Sequence, residues 1–177
     1  MQLTYCIPGK IWWITEFLPP EVYKGIHDAI IKERDRINLQ SASRVWDSNL
    51  YWNHRAPDRV AVSQYPPFDI LKQLTRKNDF FELPFMETMT TTIHFMRKGS
   101  GINWHSDVGW KYGATFYVNR RWNIHWGGEF MFANKEAHGF LPITGNSLVI
   151  LKAPFDHKVN PVISPTMPRI SVQMFMK

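Results

Sequence analysis

The segment GINWHSDVGW, residues 101–110, places His105 and Asp107 two positions apart where a strand-like run gives way to a turn. Side chains two apart on a strand share a face, so the pair could serve one metal ion while Ser106 points away. Alone the pair is a weak signal. With 7 histidines in the chain, about 0.3 His-x-Asp matches are expected by chance. An aspartate opening the turn beside a partly exposed histidine would explain it equally well. A second histidine changes the balance: His157, in APFDHKVNPV, follows the apolar run SLVILK and could face the pair from a later strand. Two histidines and one carboxylate form the facial set that holds Fe(II) with adjacent positions open. Further on, Arg169 begins RISVQMFMK, where a guanidinium could take a carboxylate bidentately.

Such residues need a scaffold to bring them together. From about residue 86 onward, METMTTTIHFMRK, GINWHSD, GATFYVN, GGEFMFA, NSLVILK and RISVQMFMK read as short strands separated by Gly, Pro and Asn, the texture of an antiparallel sandwich or barrel. Arg169, Ser171 and Gln173 should share one face of the last strand, with Ile170, Val172 and Met174 on the other. Upstream, KIWWIT reads as a first strand. LPPEVYKGIHDAIIKERDRI has prolines at its start, Glu21 early, and Val22, Ile26, Ala29, Ile30 and Ile37 at helical spacing. A second helix is expected in YPPFDILKQLTRKNDFF, and both helices should cover one outer sheet face.

Composition bounds the rest. The 177 residues suit one domain, and 44% apolar with 15% aromatic residues exclude a disordered chain. A single cysteine, Cys6, rules out an intrachain disulfide and a thiolate cluster, and fits a reducing, cytoplasmic setting. The start has no signal-peptide pattern and no apolar run approaches 18 residues, so no membrane span is expected. The formal charge of +6 favours anionic ligands, yet the basic residues form no long run.

Residues from about 90 to 177 resemble the prolyl 4-hydroxylase-like branch of the 2-oxoglutarate- and Fe(II)-dependent dioxygenases. The likeness rests on four segments in order: GSGINWHSD, ATFYVNRRWNIHWGGEFMF, NSLVILKAPFDHKVNPV and PRISVQMFM. It implies a mainly β fold, a double-stranded β-helix or jelly roll with N-terminal helices packed on one sheet. The whole of 1–177 would be one catalytic domain, with a helical support region to about 85 and the jelly-roll core from about 86. It also implies that His105, Asp107 and His157 bind the iron and that Arg169 and Tyr117 bind the far carboxylate of 2-oxoglutarate, with no catalytic side chain beyond the ligands. Fe(II), 2-oxoglutarate and O2 would then be required, with ascorbate as a candidate reductant. The implied reaction hydroxylates an unactivated C–H bond and releases succinate and CO2. A prolyl residue in a peptide or protein leads as substrate, ahead of a free amino acid. A nucleic-acid demethylase is less favoured, because Phe175 stands where that branch carries a second arginine; a non-catalytic jelly-roll binding module is disfavoured by the intact ligand set.

Several residues compete for notice. Many relatives have a further tyrosine on the strand before the metal pair; here Phe95 takes that place, with His94 beside it read as a packed or solvent-facing residue. His125 reads as an exposed loop histidine, and Gly127–Gly128 as a tight hairpin turn. Trp104, Trp110 and Trp122 read as core rather than pocket lining. Trp52 and His54 fall in a long loop and receive no role.

Overall fold

The computed structural model describes residues 1–33, 40–41, 58–61, 89–135 and 137–177, with only the backbone in 40–41 and 58–61. Two antiparallel sheets make up most of this. The larger has eight strands in the order β1-β2-β10-β7-β12-β5-β4-β3: β1 (Gln2–Ile7), β2 (Ile11–Thr15), β10 (Ser147–Lys152), β7 (Tyr112–Tyr117), β12 (Arg169–Met176), β5 (Met89–Met96), β4 (Asp58–Ala61) and β3 (Gln40–Ser41). The smaller has four, β6 (Ile102–His105), β11 (His157–Val159), β8 (Phe130–Ala133) and β9 (His138–Leu141).

Period-two alternation in the long strands divides the interior into two layers. Ile170, Val172 and Met174 of β12, Ala114 and Phe116 of β7 and Leu148 and Ile150 of β10 form the outer core under the helix. Val149, Leu151, Tyr117, Phe130, Phe132 and Phe155 form the inner core between the sheets. Near-continuous burial of β7, β10 and β12 follows, because each is covered on both faces.

Among the described residues one α-helix, α1 (Pro20–Glu33), covers the large sheet. It opens on a proline, whose missing N–H costs nothing in a first turn. Ile26 and Ile30 are buried in the outer core, and Val22 and Tyr23 pack against it. Ala29 is only half-buried, and Ile37 lies outside the described residues. The Tyr23 hydroxyl donates to the Val118 carbonyl at 3.0 Å, and its ring meets Phe116 edge-on. The expected second helix, residues 65–81, also lies outside the described residues, as do Trp52 and His54.

The expected strands are present, and others join them. β1, β3, β4, β9 and β11 were not expected as separate strands, and His157, expected on a later strand facing the metal pair, stands on the short β11 beside β6 in the same sheet, opposite β10. Gly127 and Gly128 do not make a hairpin. They follow a short 3-10 helix, Ile124–Trp126, on the path from β7 in the large sheet to β8 in the small one. A Cβ on Gly127 would collide with the Pro161 carbonyl, and one on Gly128 would stand 3.0 Å from the Arg169 Cδ. Both glycines have positive φ, and close approach explains them, of Gly127 to the backbone at Pro161 and of Gly128 to Arg169.

Candidate metal centre

β6 and β11 are neighbours in the small sheet, and their register pairs His157 directly with His105. That pairing sets the two imidazoles 4.2 Å apart, centroid to centroid. Asp107 lies just beyond the end of β6, in a turn where Trp110 N–H donates to the Asp107 carbonyl. It therefore reaches the histidines through a turn rather than through alternation along a strand. Its carboxylate stands 3.8 Å from His105 Nε2 and 3.6 Å from His157 Nε2. Two ligands with bonds near 2.1 Å can be at most about 4.2 Å apart on one ion, so both separations fit a shared metal.

The backbone fixes the imidazoles for that task. His105 Nδ1 lies 2.7 Å from the Asn103 carbonyl and His157 Nδ1 2.9 Å from the Phe155 carbonyl. A carbonyl only accepts, so each Nδ1 carries the hydrogen and each Nε2 keeps its lone pair toward the centre. Burial reinforces the neutral form: it lowers the His105 pKa to about 4, helped by the adjacent His157, and lowers that of His157 as well. The same burial raises the Asp107 pKa, against the pull of His105. These side chains are at most 9% exposed, and a dication among them would favour neutral imidazoles and an ionised carboxylate.

Gly113 of β7 makes room for that carboxylate. A Cβ at Gly113 would lie 2.7 Å from Asp107 Oδ2. The cavity beneath the three residues is lined by His94, Thr115, Gln173, Phe130 and Val149, and Thr115 donates to Gln173 at 2.8 Å. His94, read as packed or solvent-facing, is packed: it is buried and also lines this cavity, while Phe95 turns into the outer core. Alternation along β5 forces one of the two inward, and the register against Ser171 shows which. Trp104, Trp110 and Trp122 do not line the cavity. Trp122 packs against the inner core and Trp110 against Phe175, but Trp104 is 38% exposed and so is not core. His125 is exposed, as expected.

Arg169 and Tyr117 lie deeper on the same inner face, fully buried. Along β12 that face runs Gln173, Ser171, Arg169, with His94 and Tyr117 flanking Ser171 on the adjacent strands. The guanidinium donates to Ser171 Oγ at 3.0 Å, to Met96 Sδ at 3.4 Å and to Tyr117 Oη at 3.5 Å, and stands 5.0 Å from the Tyr117 ring centroid. Its Nε has no hydrogen-bond partner, and no carboxylate pairs with it, among the described residues. A buried guanidinium without an anion is costly, so this position suits an anionic ligand. Burial raises the Tyr117 pKa despite the neighbouring Arg169, keeping a phenolic hydrogen available to donate.

Asn119, just past β7, was not singled out by its chemistry. Its carbonyl oxygen accepts from Ile170 N–H at 2.7 Å and its amide donates to the Pro168 carbonyl at 2.9 Å. The side chain thus grips the backbone on both sides of Arg169.

Comparison with known proteins agrees with this geometry. Residues 91–177 match the family model described as the 2OG-Fe(II) oxygenase superfamily. No curated protein sequence matches the chain. Among solved structures, a prolyl-4-hydroxylase from Pseudomonas putida is 16% identical with a TM-score of 0.73, over 95% of this chain and 92% of that one. A prolyl hydroxylase from Trichoplax adhaerens, in complex with a hypoxia inducible factor oxygen degradation domain peptide fragment, is 14% identical with a TM-score of 0.77, over 96% and 84%. A viral collagen prolyl hydroxylase from Paramecium Bursaria Chlorella virus-1, in a 2OG complex, is 11% identical with a TM-score of 0.67, over 98% of each chain. At these identities the likeness establishes the jelly-roll fold.

Proposed function

We propose, from the premise that residues 91–177 belong to the 2OG-Fe(II) oxygenase superfamily, that the chain hydroxylates a prolyl residue in a peptide or protein. Fe(II) and 2-oxoglutarate are the metal and cosubstrate of this domain, and the protein is an oxygenase of the prolyl 4-hydroxylase-like type. In our reading, His105, Asp107 and His157 hold the iron, Arg169 and Tyr117 hold the far carboxylate of 2-oxoglutarate, and succinate and CO2 are the co-products. The observation that carries this is the meeting of the three side chains above a cavity whose inner face leads along β12 to a buried arginine without a carboxylate partner among the described residues.

The iron would supply oxidising power that no side chain has; the protein binds, orients and shields. Successive same-face positions on a strand are about 6.7 Å apart, so a five-carbon diacid lying along β12 from the triad would direct its far end toward Arg169. Arg169 and Tyr117 would take that end by charge-assisted hydrogen bonds. His94 and Ser171, between triad and arginine, would border the middle of the diacid. The apolar lining of Phe130, Val149 and Leu151 would keep water from the rest of the cavity. All 177 residues are read as one catalytic domain, with the N-terminal part supporting the core.

The substrate side of this reading is supported by the prolyl hydroxylases among the structural neighbours, one of them bound to a peptide. A peptide library scored by mass for the gain of one oxygen, dependent on 2-oxoglutarate, tests it. We expect gains on proline-containing peptides; turnover confined to free amino acids or alkylated bases would reject the prolyl substrate.

A further inference from the structure

Four lysines stand at one end of four consecutive strands of the large sheet. Lys10 immediately precedes β2, Lys152 ends β10, Lys111 immediately precedes β7, and Lys177 follows β12. Backbone hydrogen bonds tie their positions together: Lys152 N–H donates to the Lys10 carbonyl at 2.8 Å, Ala153 N–H to the Lys111 carbonyl at 2.9 Å, and Lys111 N–H to the Met176 carbonyl at 2.8 Å. Adjacent strands lie about 4.8 Å apart, so the row spans roughly 14 Å, the reach of about four to five residues of extended polypeptide.

This end of the sheet adjoins the metal site, whose cavity is lined here by Asp107, Gly113, Leu151 and Phe175. Lys111 follows the Asp107 turn and lies two residues before Gly113, over which the Asp107 carboxylate sits. Lys152 leads into the segment that delivers His157, and the Ala153–Lys111 bond joins the two ligand-bearing segments. Strand alternation puts Lys111 and Lys177 on the cavity face and Lys10 and Lys152 on the α1 face. All four sit at strand ends, where four-carbon stems let either pair reach over the rim.

Lys111, Lys152 and Lys177 are exposed and Lys10 is half-buried. None of the four has a carboxylate partner among the described residues. The acids on the same segments are Asp107, which faces the metal site, and Asp156, which is exposed. Among the described residues the rim is therefore net positive, with no internal counter-charge for the row. A single-stranded nucleic acid would also need open aromatic faces to stack on. Trp110, beside Lys111 in sequence, is already engaged, 5.6 Å from Phe175 and with the Lys177 ammonium 4.9 Å above its ring centroid.

Resting on the oxygenase reading above, we propose that Lys10, Lys152, Lys111 and Lys177 form a docking rim for acidic residues that flank the reacting residue of a polypeptide substrate. The rim selects substrates by charge before the reacting side chain enters the cavity.

Fluorescence anisotropy on the full chain tests this with two labelled single-proline peptides of equal length, one carrying four glutamates and the other glutamines in their place. A single-stranded oligodeoxynucleotide serves as the competing class. The acidic peptide should bind about tenfold more tightly than the glutamine peptide at low salt, as several exposed charge pairs acting together would give. The preference should vanish at high salt and in a variant carrying Lys10→Gln, Lys111→Gln, Lys152→Gln and Lys177→Gln. That variant should keep its Fe(II)- and 2-oxoglutarate-dependent absorption band. Equal affinity for the two peptides, a preference that survives the four substitutions, or tighter binding of the oligonucleotide would each overturn the proposal. Wild-type protein without the absorption band would reject the oxygenase reading instead, while the anisotropy comparison would still decide the rim.

Discussion

Gly113 and Asn119 govern the site without carrying any reactive group. Gly113 has ordinary strand geometry, so an alanine there meets no backbone strain; its methyl group would instead push on the Asp107 carboxylate. Gly113→Ala should weaken Fe(II) binding about tenfold to a hundredfold while leaving the thermal midpoint nearly unchanged, which metal titration and melting together would reveal. Asn119→Ala removes the grip on Pro168 and Ile170 and should raise the 2-oxoglutarate concentration needed for half-maximal activity more than it lowers the maximal rate. Asn119→Asp keeps the acceptor for Ile170 N–H and should recover part of the loss. The titratable groups give a pH signature. His105 would protonate near 6.5 when unfolded but near 4 when folded, so between those values the unfolded state binds more protons. Chelator-treated protein should therefore lose stability as pH falls from about 6.5 toward 4. His157 acts in the same direction and Asp107, with its raised pKa, in the opposite one. Denaturant melts of wild type and His105→Ala would show the slope and its reduction. At this scale the sequence was informative where residue type carries the chemistry: His105, Asp107 and His157, chosen by type and order, are brought together by the fold, and Arg169 lies buried on the face that leads from them. His94 did not, because which of two adjacent residues faces inward depends on the register of β5 against β12.

The first helix and most strands could be read from their patterns, the four-residue β6 and β8 among them, whereas β1, β3, β4, β9 and β11 could not. β5, β7, β10 and β12 have six to eight residues, enough for β-branched and aromatic enrichment to register. β11 has three residues, too few for a periodicity, and its partners β6 and β8 lie distant in sequence, while β9 pairs with its sequence neighbour β8 but buries only Leu141 and so shows no apolar pattern. β1, QLTYCI, mixes polar and apolar residues because it lies at the sheet edge, paired only with β2. The glycine pair before β8 looked like a turn because glycine marks both turns and close approaches; the neighbouring Pro161 and Arg169 distinguish them only in three dimensions. α1 was legible from Ile26 and Ile30, which meet the sheet on one face. Its contribution is measurable: Ile26→Ala should destabilise the protein by about 2–5 kcal/mol in chemical denaturation, the cost of a cavity at a fully buried isoleucine. A loss within about 0.5 kcal/mol, the range of an ordinary surface change, would mean that α1 does not pack as described.

At the scale of the molecule, the large sheet supplies Arg169 and Tyr117 and the small sheet supplies His105 and His157, so the site exists only where the two sheets face each other. The order of the four matching segments along the chain carried that arrangement into the sequence, whereas the pairing of β6 with β11 that seats the histidines did not show in it. The most direct test of the central claim is an anaerobic titration of the purified chain with Fe(II) in the presence of 2-oxoglutarate. A weak visible charge-transfer band should appear, saturate at one iron per chain and be missing from folded His157→Ala protein. No band in folded wild-type protein, or an undiminished band in the variant, would contradict the claim.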